Sequence, residues 1–423
     1  MRSLLRSASL LALAVTAGCG SSSSSNGAAP SADAGPPLAC PDGFAADDAN
    51  VGCVDVTPAD DCPAGTRATL GSTDCKPVAA IECKDGFVAD SSGWGCRDVQ
   101  PDVACTGAAR EALGQTSCVP IGDCGAAFPP ATATIFVGPT VTPDATHFTT
   151  IQAALDAAPA EALVAVDSGT YTEALTVTKT VGIVGRCAAM VTLASPDGTA
   201  PGITTSGAPG WTASGLTIRG GDVGVNVGGG NATLDSIVVE GASGAGIRAK
   251  GGTASLRNGR IHGISNDGGG TGFGVDASNG TVTITDSAIV FAATAGINTT
   301  GNGKVTLTHS IVRDTDGGGG TDGQGVGAAC SAGGQLDVEQ SAFVGNHVAA
   351  IVVLDKGSSV GVYQSVLRGS IAVSNGYGDG LVVMAGGDAD LVQTTISENQ
   401  EWGITSDGPS AKLTIDAVVV RGG

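Results

Sequence analysis

The chain has 423 residues, which is long enough for more than one domain. Aromatic residues make up only 3% of it, while glycine contributes 68 residues, and this composition argues against a helical protein. The formal net charge is −20 at pH 7. An acidic surface argues against nucleic acid and bare anionic lipid as partners, whereas it is compatible with metal cations or simply with solubility.

The N-terminus has the order of an export signal. Arg2 and Arg6 precede the apolar stretch Ser7–Thr16, and Ala-Gly-Cys19 follows. This order predicts a signal peptide over residues 1–18, whose loss makes the net charge −22. A cysteine directly after Ala-Gly resembles the bacterial lipoprotein signal, in which that cysteine is acylated; the alternative is an ordinary signal peptide with an incidental cysteine.

If Cys19 is the lipidation site, the Ser/Ala/Pro/Gly-rich residues 19–38 form a flexible, lipid-anchored linker. We therefore expect an exported protein at the outer membrane or cell surface. Its contact with the membrane is expected to be through lipid alone, because no later segment is apolar and long enough to span a bilayer.

Residues 39–127 form a cysteine-rich region built from four units, in each of which two cysteines lie 13 positions apart. Two units make a longer repeat of 43 residues. In an exported chain this spacing predicts a disulfide framework, although interlocked pairings remain open beside the simplest one, which closes each unit on itself. Zinc is the less favoured alternative, because the region has no histidine and no short Cys-x-x-Cys. The expected disulfide cysteines are Cys40, Cys53, Cys62, Cys75, Cys83, Cys96, Cys105 and Cys118, with Cys124 and Cys187 as a further pair and Cys330 left over.

A short amphipathic helix is predicted at the start of the next domain. Ile151, Ala154, Leu155 and Ala158 have helical spacing after a threonine at the N-cap, and Pro159 ends the helix. Such a helix can cover the open end of a stacked sheet and so prevent edge-to-edge association.

This segment resembles the opening of pectinesterase-like and other pectin-lyase-fold proteins. The matching stretches are Phe148-Thr-Thr-Ile-Gln-Ala and Gly169-Thr-Tyr-Thr-Glu173. The resemblance implies the cap and first coil of a right-handed parallel β-helix, although the pectinesterase catalytic motifs are not recognisable downstream. We expect residues 128–423 to be an all-β domain of this fold with an N-terminal helical cap, preceded by the small disulfide-rich region.

Beyond Trp211 the chain repeats an alternating apolar/polar run, a polar corner, a second β-rich run and a glycine-rich turn. The first runs begin 22, 28, 23, 31, 24, 29 and 22 residues apart, which suits the coils of a parallel β-helix. Their starts are Ala232, Ala254, Val282, Val305, Leu336, Val360, Ala389 and Ala411. The extra residues of the longer coils fall at one place and predict three exposed loops, 263–272, 314–325 and 369–380, about two coils apart.

A column of basic residues is predicted beside these loops. The position before each long loop is His262, Arg313 or Arg368, with Arg219 upstream and Arg421 in the last coil. Two coils separate neighbours by roughly 9.6 Å. The column has two interpretations. Either the side chains bond loop carbonyls and carboxylates, or they line a groove that holds a repeating polymer, with Arg219, His262, Arg313 and Arg368 as ligand-binding candidates.

No catalytic set can be assembled from spacing, so the catalytic residues stay unassigned. Arg313 with Asp314, Asp316 and Asp322 is the best place for lyase-like chemistry, because such enzymes combine a strong base with carboxylates that hold calcium. The three aspartates are also the candidate calcium ligands, the alternative being an ordinary solvated loop. No other cofactor is expected.

Three functions follow from these features. The first is a surface lipoprotein that presents a rigid β-helix, through a tether and a disulfide-bonded stalk, to bind polysaccharide or surface proteins. The second is a carbohydrate-active enzyme, lyase-like or hydrolase-like, that works on the long-loop face. The third is a purely structural envelope protein. The last coil stops at Gly423 without a cap, from which we expect the natural protein to be longer.

Overall fold

The computed structural model describes residues 38–78, 82–205, 207, 210–266, 271–316, 325–373 and 377–422. Residues 128–422 form a parallel β-helix in which three sheets run along the stack. Each coil contributes one strand to each sheet. Within the described ranges, ten complete coils are followed by part of an eleventh. None of the helices described is long and apolar enough to cross a membrane.

Sheet 1 has 13 strands. In spatial order they are β10 (His147–Phe148), β9 (Ile135–Val137), β11 (Leu163–Val166), β14 (Gly182–Gly185), β17 (Trp211–Ser214), β20 (Asn231–Asp235), β23 (Thr253–Arg257), β26 (Thr281–Thr285), β29 (Lys304–Thr308), β32 (Gln335–Glu339), β35 (Ser359–Tyr363), β38 (Asp388–Val392) and β41 (Lys412–Asp416).

Sheet 2 has 11 strands. They are β12 (Gly169–Thr172), β15 (Val191–Ala194), β18 (Thr217–Arg219), β21 (Val238–Glu240), β24 (Arg260–Ile264), β27 (Ala288–Ala292), β30 (Ile311–Arg313), β33 (Ala342–Val344), β36 (Val366–Arg368), β39 (Thr395–Ser397) and β42 (Val419–Arg421).

Sheet 3 has 10 strands. They are β13 (Leu175–Val177), β16 (Ile203–Thr205), β19 (Val223–Val227), β22 (Ala245–Ala249), β25 (Phe273–Ser278), β28 (Ala295–Thr300), β31 (Val326–Ser331), β34 (Val348–Leu354), β37 (Gly378–Met384) and β40 (Ile404–Asp407).

The predicted coil alignment is confirmed over seven coils and wrong in the last. The strand registers align Ala232, Ala254, Val282, Val305, Leu336, Val360 and Ala389 in one inward column of sheet 1. The next member is Leu413 rather than Ala411. The error arose because Ala411 and Leu413 are two positions apart, so the period-two alternation of a strand does not separate them.

The predicted cap helix α1 (Ile151–Ala157) lies at the first coil. Its apolar side chains Ile151, Ala154 and Leu155 are buried in the main core. Thr150 is the N-cap, but its side chain makes no capping hydrogen bond. The carboxylate of Glu173 instead accepts from the backbone N–H groups of Ile151 and Gln152 at 2.8 and 2.9 Å, so a residue of the first coil caps the helix.

The cysteine-rich region consists of four small antiparallel hairpins. Their strands are β1 (Phe44–Ala46) with β2 (Cys53–Asp55), β3 (Thr66–Arg67) with β4 (Lys76–Pro77), β5 (Phe87–Ala89) with β6 (Cys96–Asp98), and β7 (Ala109–Arg110) with β8 (Val119–Pro120). Each hairpin is closed by its own disulfide, which is the simplest pairing considered above: Cys40–Cys53, Cys62–Cys75, Cys83–Cys96 and Cys105–Cys118. Cys124 pairs with Cys187, and Cys330 is free and buried.

The second half of this region packs along the outer face of sheet 2 and is not the projecting stalk expected from the sequence. Phe87, Cys96 and Leu113 form one apolar cluster with Ile311, Ala342, Val344 and Val366 of β30, β33 and β36. Ile121 packs on Val238 of β21 in another. The physical reason is that these sheet 2 strands have apolar side chains on both faces, so their outer face must also be covered.

Candidate functional site

The basic residues predicted to form a column are aligned on successive strands of sheet 2. The registers connect Arg219, Glu240, His262, Val290, Arg313, Val344, Arg368, Ser397 and Arg421 in that order, one residue per coil. Two coils therefore separate Arg313 from Arg368, as predicted. We call these nine residues the basic column.

Arg313 and Arg368 are occupied by protein partners. Arg313 Nε donates to Asp314 at 2.7 Å, and its Nη1 donates to the Gln100 side chain and to the Pro101 carbonyl. Both guanidinium groups line a polar cleft of about 460 Å³ that lies between the cysteine-rich region and sheet 2. The pairing with Asp314 fits the interpretation in which the column bonds loop groups, whereas the bonds to the cysteine-rich region were not anticipated by either interpretation.

Arg368 forms a bidentate pair with Asp98 through Nε and Nη2, at 2.5 and 3.0 Å. The Asp98 side chain is fully buried. Burial lowers the pKa of the Arg368 guanidinium, but its hydrogen bond to Asp98 and the negative charges of Asp98, Glu398 and Asp102 together outweigh burial and raise that pKa. This geometry fixes the cysteine-rich region on sheet 2.

In the upstream part of the basic column, the carboxylate of Glu240 offsets the positive charge of its neighbours. Glu240 accepts from Arg219 Nε through one carboxylate oxygen and lies 3.0 Å from His262 Nε2 through the other. Burial lowers the pKa of His262, and the nearby Arg260 lowers it further, while Glu240 opposes both. His262 is therefore neutral at pH 7, and this segment offers little net positive charge to a polymer.

The residues considered for lyase-like chemistry and calcium are only partly described. Asp314 faces the guanidinium of Arg313, Asp316 lies at the edge of the loop, and Asp322 lies outside the described residues. Among the side chains that are placed, no group of three or more His, Cys, Asp or Glu residues is arranged to hold a metal ion. Calcium binding by this loop stays a prediction.

Two further arginine contacts were missed by sequence reasoning. Arg260 donates to Glu111 at 3.1 Å, and the two side chains are 1% and 0% exposed. Glu111 also accepts from the backbone N–H of Cys105 at 2.6 Å. At the other end, Arg421 donates to Asp90 and to Ser92. The signal available in the sequence was the apolar second run of several coils, such as Ala342-Phe-Val344, which predicts a covered sheet.

The other candidate surface is the outer face of sheet 3 with the connections that enter it from sheet 2, which we call the long-loop face. All three long loops enter it, ahead of β25, β31 and β37. Thr204, Asn226, Arg248, Asp276 and Asn298 form an outward column on five consecutive strands. We call them the polar column.

The polar column mixes engaged and free groups. Arg248 donates to Asp276 at 3.1 Å and to Asp222 at 3.4 Å, so its charge is neutralised on both sides. Asp276 also accepts from Asn298 and from Ser278. The side chains of Thr204 and Asn226 have no hydrogen-bond partner among the described residues and are partly exposed. They are available to a ligand.

The C-terminal half of the long-loop face is apolar and bordered by aromatic residues. Val352, Val382 and Met384 lie on it, in a cluster separate from the main core. Tyr377 and Trp402 are 47% and 62% exposed. They stand in adjacent coils, because Gly380 N–H donates to the Trp402 carbonyl at 2.9 Å. Exposed aromatic rings beside hydrogen-bonding groups suit ligands with both apolar and hydroxyl surfaces.

Trp211 and Cys330 are both buried in the β-helix. Trp211 is buried, and its indole N–H donates to Thr205 at 2.9 Å, so it is not a surface platform. Cys330 lies in the core, and burial raises the pKa of its thiol to about 12, so the nucleophilic thiolate is suppressed at neutral pH.

Comparison with known proteins concerns the repeat domain. The family described as "Right handed beta helix region" matches residues 201–367, which extend from β16 into β36. No curated protein sequence matches the chain.

Solved structures resemble the chain at low identity. Pectate lyase Pel9A has a TM-score of 0.47 at 15% identity, over 66% of this chain and 80% of its own. An alginate lyase from Paenibacillus sp. str. FPU-7 has a TM-score of 0.40 at 13% identity, over 64% and 96%. Pectin methylesterase PemA from Erwinia chrysanthemi has a TM-score of 0.34 at 15% identity, over 66% and 81%. The family match and the three stacked parallel sheets together identify the repeat domain as a right-handed parallel β-helix.

Proposed function

We propose that this protein is an exported, lipid-anchored surface protein that binds a polysaccharide along the long-loop face. The observation that carries the proposal is the composition of that face. A column of polar side chains, two of them without partners in the described structure, leads into an apolar strip flanked by Tyr377 and Trp402. A linear polymer laid along the stack would contact equivalent positions about every 4.8 Å.

The charges of this face favour a neutral polymer. Arg248 is neutralised by Asp222 and Asp276, which leaves the group of three with a net negative charge. The whole chain is acidic, with a net charge of −20. Repulsion therefore opposes an anionic polymer, unless a cation such as calcium bridges the two.

Export is supported by the chemistry of the cysteine-rich region. Five disulfides join ten cysteines, and such bonds form and persist in oxidising compartments. The leader and Cys19 lie outside the described residues, so the anchor rests on the sequence. We expect C19S to lose its membrane attachment, so that it is found in the aqueous phase after detergent-phase partition. Retention of C19S in the detergent phase would refute lipid attachment at Cys19.

Size-exclusion chromatography tests the binding proposal. The chain from Leu38 onward is mixed with each of several neutral and acidic polysaccharides, with and without calcium. We expect an intact neutral polymer to co-elute with the protein. No co-elution with any member of the panel would favour a structural or protein-binding role, and shortened polymer would identify an enzyme that works on this face.

Two variants and a matched control locate the binding site. We expect W402A and N226A each to weaken binding about tenfold, the equivalent of about 1.4 kcal/mol. N231A is the control, because Asn231 is an exposed asparagine on sheet 1, close to Asn226 along the chain. Isothermal titration calorimetry measures all three. An equal loss of affinity in N231A would place binding elsewhere.

A further inference from the structure

The cysteine-rich region contains two repeats, offset by 43 residues, that have the same fold. The first repeat is residues 40–78 and the second is residues 83–121. In the first, Val56 N–H donates to the Gly43 carbonyl at 2.9 Å, and in the second, Val99 N–H donates to that of Gly86 at 2.9 Å. The disulfides are also equivalent, Cys40–Cys53 with Cys83–Cys96 and Cys62–Cys75 with Cys105–Cys118.

The second repeat uses one face to bind the β-helix. Phe87, Cys96 and Leu113 make apolar contacts with the outer face of sheet 2. Ile121 adds a contact with Val238. Its ionic contacts are made by Asp98 with Arg368, by Asp90 with Arg421 and by Glu111 with Arg260. Phe87 and Leu113 are 8% and 5% exposed as a result.

The first repeat presents the same face to solvent. Phe44, which corresponds to Phe87, is 40% exposed, and Leu70, which corresponds to Leu113, is 51% exposed. Asp55, which corresponds to Asp98, is exposed and has no cationic partner among the described residues. Its carboxylate accepts from Thr57, much as Asp98 accepts from Gln100. Phe44, Leu70 and Asp55 therefore retain contact residues of the second repeat without their partners, whereas Ala68 stands at the position of Glu111.

The first repeat also continues the line of the second. The three ion pairs follow the coils in reverse order of residue number: Glu111 contacts β24, Asp98 contacts β36 and Asp90 contacts β42. Arg67 of the first repeat lines a cleft with Val419 and Arg421 of β42. The exposed face thus begins where the occupied interface ends.

We propose that the first repeat is a second docking surface for a right-handed parallel β-helix. Its occupant is a set of coils that stack on β40, β41 and β42 and have sheet 2 strands with the pattern apolar, apolar, arginine. Phe44 and Leu70 cover the apolar side chains, and Asp55 pairs with the arginine, as Phe87, Leu113 and Asp98 do in the second repeat.

An extended chain supplies such an occupant. A second copy of residues 314–421 is appended behind Arg421, which adds four coils and repeats Arg368 and Arg421. We expect hydrogen exchange in β1 and β2 to slow about tenfold in the extended chain. F44D should abolish that protection and should leave the exchange of the unextended chain unchanged. Unchanged exchange in β1 and β2, with the added strands themselves protected, would overturn the proposal.

A hybrid chain decides the question if the added coils do not fold. Residues 82–110 are replaced by residues 39–67, which places Phe44, Cys53 and Asp55 at the positions of Phe87, Cys96 and Asp98 and keeps Glu111. We expect β30, β33 and β36 to keep their exchange protection, and the same hybrid with F44D to lose it. Loss of protection in the hybrid without F44D would contradict the proposal.

Size-exclusion chromatography with light scattering tests whether a second copy of the chain covers this face instead. The unextended chain should elute as a monomer at every concentration tested. A dimer that F44D dissociates would show that a second copy covers this face, and the proposal would then be wrong.

Discussion

At the scale of single residues, buried ion pairs hold the cysteine-rich region on the β-helix. Arg260 and Glu111 are separated by 149 positions in the chain and are almost completely buried. A buried charge without its partner is costly, because the protein interior solvates it poorly. These pairs therefore specify how the two regions fit together.

Removing one partner of this pair should be strongly destabilising. We expect E111A to lower the free energy of unfolding by about 3–5 kcal/mol, since it leaves Arg260 charged and buried. The control R257A removes an exposed arginine from sheet 1 and should change stability by less than about 0.5 kcal/mol. Urea unfolding followed by circular dichroism compares them. Equal effects would show that the buried pair contributes nothing specific.

Acid should weaken the contact at the other end of the interface. The hydrogen bond from Arg421 holds the pKa of the Asp90 carboxyl group well below its usual range. A carboxyl group with a lowered pKa stabilises the fold above its unfolded pKa, and this contribution is lost as pH falls towards the folded pKa.

Thermal unfolding should accordingly become easier below about pH 4 in the parent chain. D90N removes this titration, so its melting temperature should start lower at pH 7 and fall less on acidification to pH 3. Identical pH profiles for D90N and the parent chain would show that the Asp90–Arg421 pair does not contribute.

At the scale of elements, the alternation of apolar and polar residues predicted which side chains face the core. It did not predict which segment covers the outer face of sheet 2. The first run of each coil alternates, as in Val282-Thr-Ile-Thr, and its outer face is left to solvent. The second run does not alternate, as in Ala342-Phe-Val344, where all three residues are buried. This loss of alternation was the signal for a covered sheet. The identity of the cover could not be predicted, because the covering residues lie far from sheet 2 in the chain, for example 149 positions for Glu111 and Arg260.

The position of the long-loop face could be predicted from the sequence, but the arrangement of its side chains could not. Coil lengths placed the three loops on one side of the stack, and the strand order confirms this. The adjacency of Tyr377 and Trp402 depends on the register between coils of unequal length, which sequence alone fixes poorly. The basic column was predicted because it needed only the alignment of the inward apolar residues.

The internal repeat of the cysteine-rich region provides a matched control for the packing of its second repeat on sheet 2. We expect L113A to destabilise the protein by about 2–5 kcal/mol, because Leu113 is buried against sheet 2. L70A alters the equivalent, exposed leucine of the first repeat and should cost much less. Thermal melts compare the two variants. A larger loss from L70A would contradict the packing of the second repeat on sheet 2.

At the scale of the whole molecule, the three sheets have different surroundings. Sheet 2 is covered by the cysteine-rich region, sheet 1 presents an alternating polar face, and sheet 3 presents the long-loop face with its polar column and exposed aromatic residues. The cysteine-rich region covers sheet 2, and the long-loop face is the outer surface to which our proposal assigns the ligand. In our proposal the lipid anchor keeps that face at the cell surface.

Hydroxyl-radical footprinting of the chain with and without a co-eluting polysaccharide tests the central claim most directly. The claim is that a polymer binds along the long-loop face, so Tyr377, Met384 and Trp402 should become less oxidised when it binds. Tyr363, an exposed aromatic residue of sheet 1, should react equally in both samples. Protection of Tyr363 with unchanged oxidation of Tyr377 and Trp402 would contradict the account.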